Sequence, residues 1–467
     1  MALTQTKTML AGAAALSLLA GCVADMPVFV KPQAPNVAGF TAGKLPSSTT
    51  AADATGGEAQ RFVVGGNVPG RWWELFGSAK LNRLVDEALA ANPGLTASQM
   101  ALLQARENYA AGQAALWTPN INFPRFVGGG GSDTPFDLTT QGDLGISYSI
   151  ELCCGTDKAQ ESAAASLRRQ EVALKAAYIS LTANVINGAI SLAVLEERLQ
   201  TSKDILALQE ELVDISRQRL DLGDISPADF AAQQAQLVNT RANIVSIQSS
   251  IARQTNQMAG YLGKFPSQMQ PIDLRLDDLK LPTSIPVSLP SQLIEQRPDI
   301  VQATFSLEAA TADAGLAITN MLPQISLSAN LSASAMAWDL VGSIVQASVN
   351  VGANTHRRAA AEAQLKASAA NYQSTVLGAF IDVSNALQAI DYDAQLMALQ
   401  VESERTSAES LDLARQEFEL GTSPYSAVLS AEQSYRNSAN SLVQARAQRL
   451  TDTVALYVAL GGGWWNE

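Results

Sequence analysis

Apolar positions recur along this chain with two periods, and the switch between the periods occurs in the same setting in each half. In the stretch from 291 to 331, Pro298 and Asp299 read as the opening of a helix. Proline fits a first position whose N–H has no intrahelical partner, and the carboxylate sits in the dipole-favoured first turn. Leu307, Ala310, Ala314 and Ala317 follow at helical spacing until Pro323. Beyond it the period drops to two, with Ile325, Leu327, Ala329 and Leu331 alternating against Ser326, Ser328, Asn330 and Ser332. That pattern predicts a helix running into a strand. Earlier in the chain Asn92-Pro93-Gly94-Leu95 opens a run through Leu102, Ala105 and Tyr109. Thr118-Pro119 ends it, and Asn120, Ile121, Asn122 and Phe123 alternate after it. Two copies of one unit make this a chain of two halves.

Each unit continues in the same way. A second strand is expected near 146–152, where Ile146, Tyr148, Ile150 and Leu152 alternate with Ser147, Ser149 and Glu151. From about residue 157 to 222 there is no proline, and Leu174, Tyr178, Leu181, Val185, Leu192, Leu195 and Leu199 keep heptad spacing. Such a run predicts one helix of roughly 100 Å at 1.5 Å per residue. Gly223 ends it, and Ser226-Pro227 opens an antiparallel partner reaching about 262. Pro266, Pro271, Pro282, Pro286 and Pro290 then punctuate a linker. The second half repeats the plan, with strands near 324–335 and 345–351 and a helix over about 356–420. Its Leu420-Gly421-Thr422-Ser423-Pro424 turn echoes Leu222-Gly223-Asp224-Ile225-Ser226-Pro227, and the last helix runs to 460. The expected organisation is a leader over 1–21, an extended segment over 22–77, a first helix–strand–helix repeat over 78–264, a linker over 265–289 and a second repeat over 290–463. The fold class is mainly α with a small β part.

The N-terminus reads as a processing segment. Lys7 supplies a positive start, 9–20 is a short apolar stretch, and Leu19-Ala20-Gly21-Cys22 resembles the bacterial lipobox. Cleavage there would leave Cys22 as the acylated first residue, and Val23 is not the Asp that retains many such proteins in the inner membrane. Residues 23–70 are rich in Pro, Ala, Thr and Gly without a period, as in a tether. The Trp72-Trp73 pair that follows is read as core packing.

Composition narrows the chemistry. A net charge of −13 over 467 residues argues against nucleic acid. His356 is the only histidine, so a nucleophile–histidine arrangement would depend on one residue at a helix start. There is no P-loop, no G-x-S-x-G, and no metal-ligand spacing, so neither enzyme activity nor a metal or other cofactor is expected. Cys153 and Cys154 are adjacent and lack CxxC spacing; they read as two small hydrophobes or as a vicinal disulfide. Glu196, Glu197, Glu210 and Glu211 look like charges on a solvated helix face. No run in the mature chain is apolar enough for a transmembrane helix.

Alternating strands of about ten residues suit a membrane barrel, but two per half cannot close one, and an open edge in lipid strands backbone polar groups. Pooling strands from three copies removes the contradiction. At this point the chain resembles the TolC family of outer-membrane efflux channels, in its lipoprotein (NodT-like) branch. The matching pieces are the Cys22 lipobox, Trp72-Trp73-Glu74-Leu75-Phe76, Ala91-Asn92-Pro93-Gly94-Leu95, Gln296-Arg297-Pro298-Asp299-Ile300, Leu322-Pro323-Gln324-Ile325-Ser326-Leu327 and both Leu-Gly turns. The resemblance implies a homotrimer in outer-membrane lipid, twelve pooled strands, and long helical hairpins forming a tunnel across the periplasm. It also implies a passive duct for small molecules, joined through a periplasmic adaptor (membrane fusion) protein to an inner-membrane pump. The alternatives are a type I secretion exit duct, or a non-channel coiled-coil lipoprotein acting as structural element or adaptor. Both Leu-Gly turns should meet at the periplasmic tip, where Asp221, Gly223, Asp224, Asp229, Glu417, Glu419 and Gly421 form the expected gate and docking surface. Asp229 falls where relatives carry a residue bonding across hairpins; Ser226-Pro227-Ala228-Asp229 also reads as a near capping box, so Asp229 either caps or gates.

Overall fold

The computed structural model describes residues 26–37, 39–43, 45–115, 120–122, 142–150, 154–322, 324–334, 337–348 and 351–466. Its helices repeat in matched lengths. In the first half α1 (Ala79–Ala91) precedes α2 (Pro93–Ala115), and then α3 (Gly155–Asp221) and α4 (Pro227–Tyr261) form a hairpin of 67 and 35 residues. In the second half α5 (Pro290–Gln296) precedes α6 (Pro298–Thr319), and α7 (Val351–Glu419) and α8 (Tyr425–Ala459) form a hairpin of 69 and 35 residues. Lengths agreeing this closely mark an internal duplication. The strands are β1 (Arg61–Val64), β2 (Asn120–Asn122), β3 (Gly142–Ile150), β4 (Ser284–Val287), β5 (Gln324–Ser334) and β6 (Ala337–Ser348).

Two compact units divide the chain. One gathers 99–173 and 299–375 with the N-terminal residues to 33; the other gathers 34–98, 174–298 and 376–467. The first unit holds an antiparallel sheet in the order β2-β3-β5-β6, so both repeats contribute to it. Leu327 lies opposite Tyr148 on one side and Val345 on the other, and Ser328 opposite Ser147 and Ile344. In the same unit Arg168 joins α3 to α6, its Nη2 2.8 Å from Glu308 Oε1 and its guanidinium 4.9 Å from the centre of the Phe305 ring.

The second unit is built around aromatic side chains. Trp72 and Phe76 are buried, and the Trp72 ring lies 5.5 Å from that of the equally buried Tyr457 on α8. Ser78 caps α1 by accepting from Leu81 N–H, and Leu81, Val85 and Ala88 give the helix its buried face. Of the heptad positions of α3, Leu181, Val185, Leu192 and Leu199 are buried, while Leu174, Tyr178 and Leu195 are half-buried.

Several features depart from the sequence reading, among them β3, which begins at Gly142 ahead of the expected 146. The tether contains β1, which pairs in parallel with β4 of the linker, Arg61 opposite Ser284 through Val64 opposite Val287. A four-residue strand whose partner lies far along the chain leaves no period to read. The strand β6 begins at Ala337, well before 345; Asp339 and Gly342 interrupt the alternation that would have marked its start, and the β5–β6 register shifts between Ser328 and Asn330. The helix α7 starts at Val351, ahead of the expected 356, despite the weak helix former Gly352. One 18-residue window of α3 is apolar enough to cross a membrane, with mean hydropathy 1.5; 56% of it is buried inside the protein, which marks a core helix. Cys22, Pro323 and Cys153 lie outside the described residues.

Candidate gate at the hairpin tips

Each long helix ends in the same way because each meets a glycine where only glycine is unstrained. Gly223 has φ 80° and Gly421 has φ 75°, the left-handed region in which a side chain crowds the following carbonyl. The hydrogen bonds match across the repeats. Gly223 N–H reaches Leu220 O and Asp224 N–H reaches Arg219 O; Gly421 N–H reaches Phe418 O and Thr422 N–H reaches Glu417 O. This is a Schellman-type closure that occupies the last carbonyls of each helix. Leu222 and Leu420, immediately before the glycines, are 77% and 78% exposed.

The first turn hands over to α4 through Ser226, whose Oγ accepts from Asp229 N–H at 3.1 Å and donates to Asp229 Oδ2 at 2.8 Å. Ser226 therefore caps α4, and the Asp229 carboxylate accepts from the hydroxyl of that cap. At the second turn Pro424 holds the N-cap position of α8 without a side-chain bond, and Thr422 Oγ donates back to Glu417 O.

The two turns belong to one compact unit and touch. Arg219, at the end of α3, donates from Nη1 to Phe418 O on α7 at 3.4 Å, and its guanidinium sits 4.7 Å from the Phe418 ring centre. Beneath them Leu212, Leu411, Phe418, Tyr425, Val428 and Ala431 form a small apolar core, with Phe418 and Tyr425 edge to face at 5.5 Å. Burial in that core pushes the Tyr425 phenol well above its ordinary range. Asp221, Asp224, Asp229, Glu417 and Glu419 are all exposed around the turns. The acidic positions expected from sequence are thus on the surface at two adjacent tips. The contact that joins those tips, Arg219 on Phe418, runs between repeats and left no trace in the spacing of either one. Among the described residues no group of His, Cys, Asp and Glu could hold a metal ion, and His356 is exposed on α7.

Residues 84–264 and 289–462 match the outer membrane efflux protein family. The chain belongs to that family. Its two matched segments coincide with the two helix–strand–helix repeats. Among relatives, it is 26% identical to the probable outer membrane lipoprotein SilC of Salmonella typhimurium, over 96% of this chain and 97% of the relative. The probable efflux pump outer membrane protein TtgC of Pseudomonas putida is 25% identical over 99% of this chain and 97% of its own length. The fold is also that of solved outer-membrane channels. The OprN channel superposes with a TM-score of 0.77 at 23% identity, covering 94% of this chain and 99% of that one, and CusC with 0.75 at 23%, covering 94% and 100%. The protein is accordingly an outer-membrane efflux channel and not an enzyme. The non-channel coiled-coil alternative falls away with that assignment.

Proposed function

We propose that three copies of this chain pool their strands into a twelve-stranded outer-membrane barrel, continued by their helical hairpins as a passive exit tunnel of a tripartite efflux pump. The observation that carries the reading is the four-stranded sheet contributed by both repeats. Its end strands β2 and β6 need partners in lipid, because an open edge there leaves backbone groups unsatisfied at several kcal/mol each. A second support comes from α7, which leaves Leu377, Ile381, Tyr392, Leu396 and Leu399 largely exposed in the single chain. Apolar side chains at helical spacing on a solvent-facing helix suit packing against another helix, here that of a neighbouring copy. Energy comes from an inner-membrane pump, joined through a periplasmic adaptor that docks at the tips. Relatives are named for exporting cations, toluene and pyoverdine, a spread that suits a duct for small molecules whose selectivity lies elsewhere. The test is fractionation followed by unheated electrophoresis: the protein should partition with the outer membrane and migrate as a heat-sensitive trimer, and a monomer in detergent refutes the pooled barrel.

In this reading Cys22 carries the acyl anchor, with residues 1–21 removed, 22–77 as the anchored segment, and 78–264 and 290–463 as the repeats on either side of the 265–289 linker. Cys22→Ser should leave an unprocessed precursor without acyl label, while export continues because the barrel holds the protein in the membrane. A mature N-terminus at another residue contradicts the anchor.

Six turns around the trimer axis would bring Asp221, Asp224, Asp229, Glu417 and Glu419 into an acidic ring that favours cations and opposes closure by repulsion, with Gly223 and Gly421 setting its shape. If Asp229 bonds across hairpins, Asp229→Ala raises single-channel conductance in intact trimers. The change should cost no more than about 1 kcal/mol of stability, since the Ser226 cap to the backbone survives. Unchanged conductance removes Asp229 from the gate.

A further inference from the structure

Three helical turns above the tips, the two hairpins are joined by a polar contact that the duct does not require. Glu432 on α8 is 2% exposed and Gln209 on α3 is 1% exposed. Gln209 Nε2 donates to Glu432 Oε1 at 2.7 Å, linking the first repeat to the second. One edge of the amide and one oxygen of the carboxyl are thereby used. The remaining atoms, Gln209 Oε1 and Glu432 Oε2, are buried and have no partner. Both are acceptors, and two buried acceptors on one pair cannot satisfy each other. Left as they are, both atoms would carry the penalty of a buried acceptor without a donor.

A single proton resolves the pair. We propose that Glu432 is a proton-binding site, held as the neutral acid at neutral pH, whose O–H is donated to the Gln209 amide oxygen to make a two-point acid–amide clasp between the hairpins. Every buried polar atom of the pair then has a partner.

The surroundings favour the neutral acid. Arg436, one turn along α8, lies 3.5 Å from Glu432 Oε1, but its Nη2 also donates to Thr240 Oγ on α4 at 3.2 Å. Arg415 on α7 adds a second positive charge, and Tyr425, also on α8, feels the charge of Glu432. The group that α3 presents, Gln209, and the one that α4 presents, Thr240, are both neutral. Burial outweighs the two arginines and raises the Glu432 carboxyl above its ordinary value. A raised carboxyl stabilises the packed state at acid pH and loses that contribution as pH rises through the raised value. Separating the hairpins would expose Glu432, lower its affinity for the proton and release it. The clasp thus makes hairpin separation a proton-releasing step, favoured by alkali and opposed by acid.

The test is infrared spectroscopy of the assembled full-length protein in detergent, read in the protonated-carboxyl region across a pH series. Wild type should show a band at neutral pH that Glu432→Gln removes and that Gln209→Leu shifts or loses. Asp393, pushed up to about 8 by burial and its hydrogen bond with Asp452, contributes a separate band; Asp393→Asn identifies it. Glu432→Gln keeps a two-point amide pair, so it should assemble and should flatten the alkaline fall in Tm. If that variant does not assemble, the wild-type series beside Asp393→Asn alone decides: a titrating carboxyl band must remain. Its absence, or a band unchanged in Glu432→Gln, shows an ionised Glu432 and overturns the proposal.

Discussion

Leu327→Arg is expected to cost about 2–4 kcal/mol per chain near the bilayer midplane and to prevent recovery of assembled protein from the outer membrane. The cost arises because the alternation of β5 assigns Leu327 to the lipid-facing set, where a guanidinium finds neither water nor a counter-charge. The register sets Leu327 between Tyr148 and Val345, and Ser328 between Ser147 and Ile344. Ser328→Arg, one residue on, would face the lumen of the proposed barrel and should be tolerated far better. In a three-chain barrel each substitution appears three times, so the contrast between adjacent positions should be large. Equal yields of folded trimer from the two variants would refute the assigned faces.

Arg449→Ala should have the second large effect. Arg449 is buried on α8 at 1% exposure, and its guanidinium donates to Gly56 O at 2.7 Å, Glu58 O at 2.9 Å and Gln60 Oε1 at 3.3 Å. Gln60, fully buried, passes the connection on through Nε2 to Pro282 O and Thr453 Oγ. One side chain therefore fastens the N-terminal segment to α8, and Gln60 carries that fastening to the linker just before β4. Charge-assisted bonds of this kind contribute about 1.5–3 kcal/mol each, and truncation leaves several buried acceptors without donors. The expected loss is about 3–5 kcal/mol, with β1 released from β4. Limited proteolysis reads it: cleavage within 48–66 should become fast in Arg449→Ala, while the helical hairpins stay resistant. An unchanged cleavage pattern would show that the strand pairing alone holds the segment.

Those two sites also show what the sequence could and could not convey. Heptad spacing from Leu181 to Leu199 located the core of α3 because long helices bury a stripe that repeats locally. The turns at Gly223 and Gly421 were legible for a similar reason, since a glycine ending an unbroken helical run has a local cause. The Ser226–Asp229 cap was readable from spacing alone. Arg449 carried no such signal. It sits in a helix rich in Gln, Arg and Ser, and its partners are carbonyls of a segment without period, so nothing near it announces its burial. Gln209 and Glu432 were hidden in the same way, each appearing as one more polar residue on a charged helix face. What escaped the reading is contact between halves of the chain, which a period along one element cannot encode. The pairing of β1 with β4 belongs to that class. The tip is divided along the same line, with its acidic positions plain in the sequence and its Arg219–Phe418 link visible only in space.

The central claim is that one chain supplies a third of a closed barrel. Its most direct measurement is the mass of the protein extracted from outer membranes in mild detergent, by native mass spectrometry after stripping the detergent. Three acylated chains per particle, with no stable monomer, is the result predicted here. A particle containing a single chain that retains its β structure would contradict it, because a four-stranded sheet with two open edges would then have to stand alone in lipid.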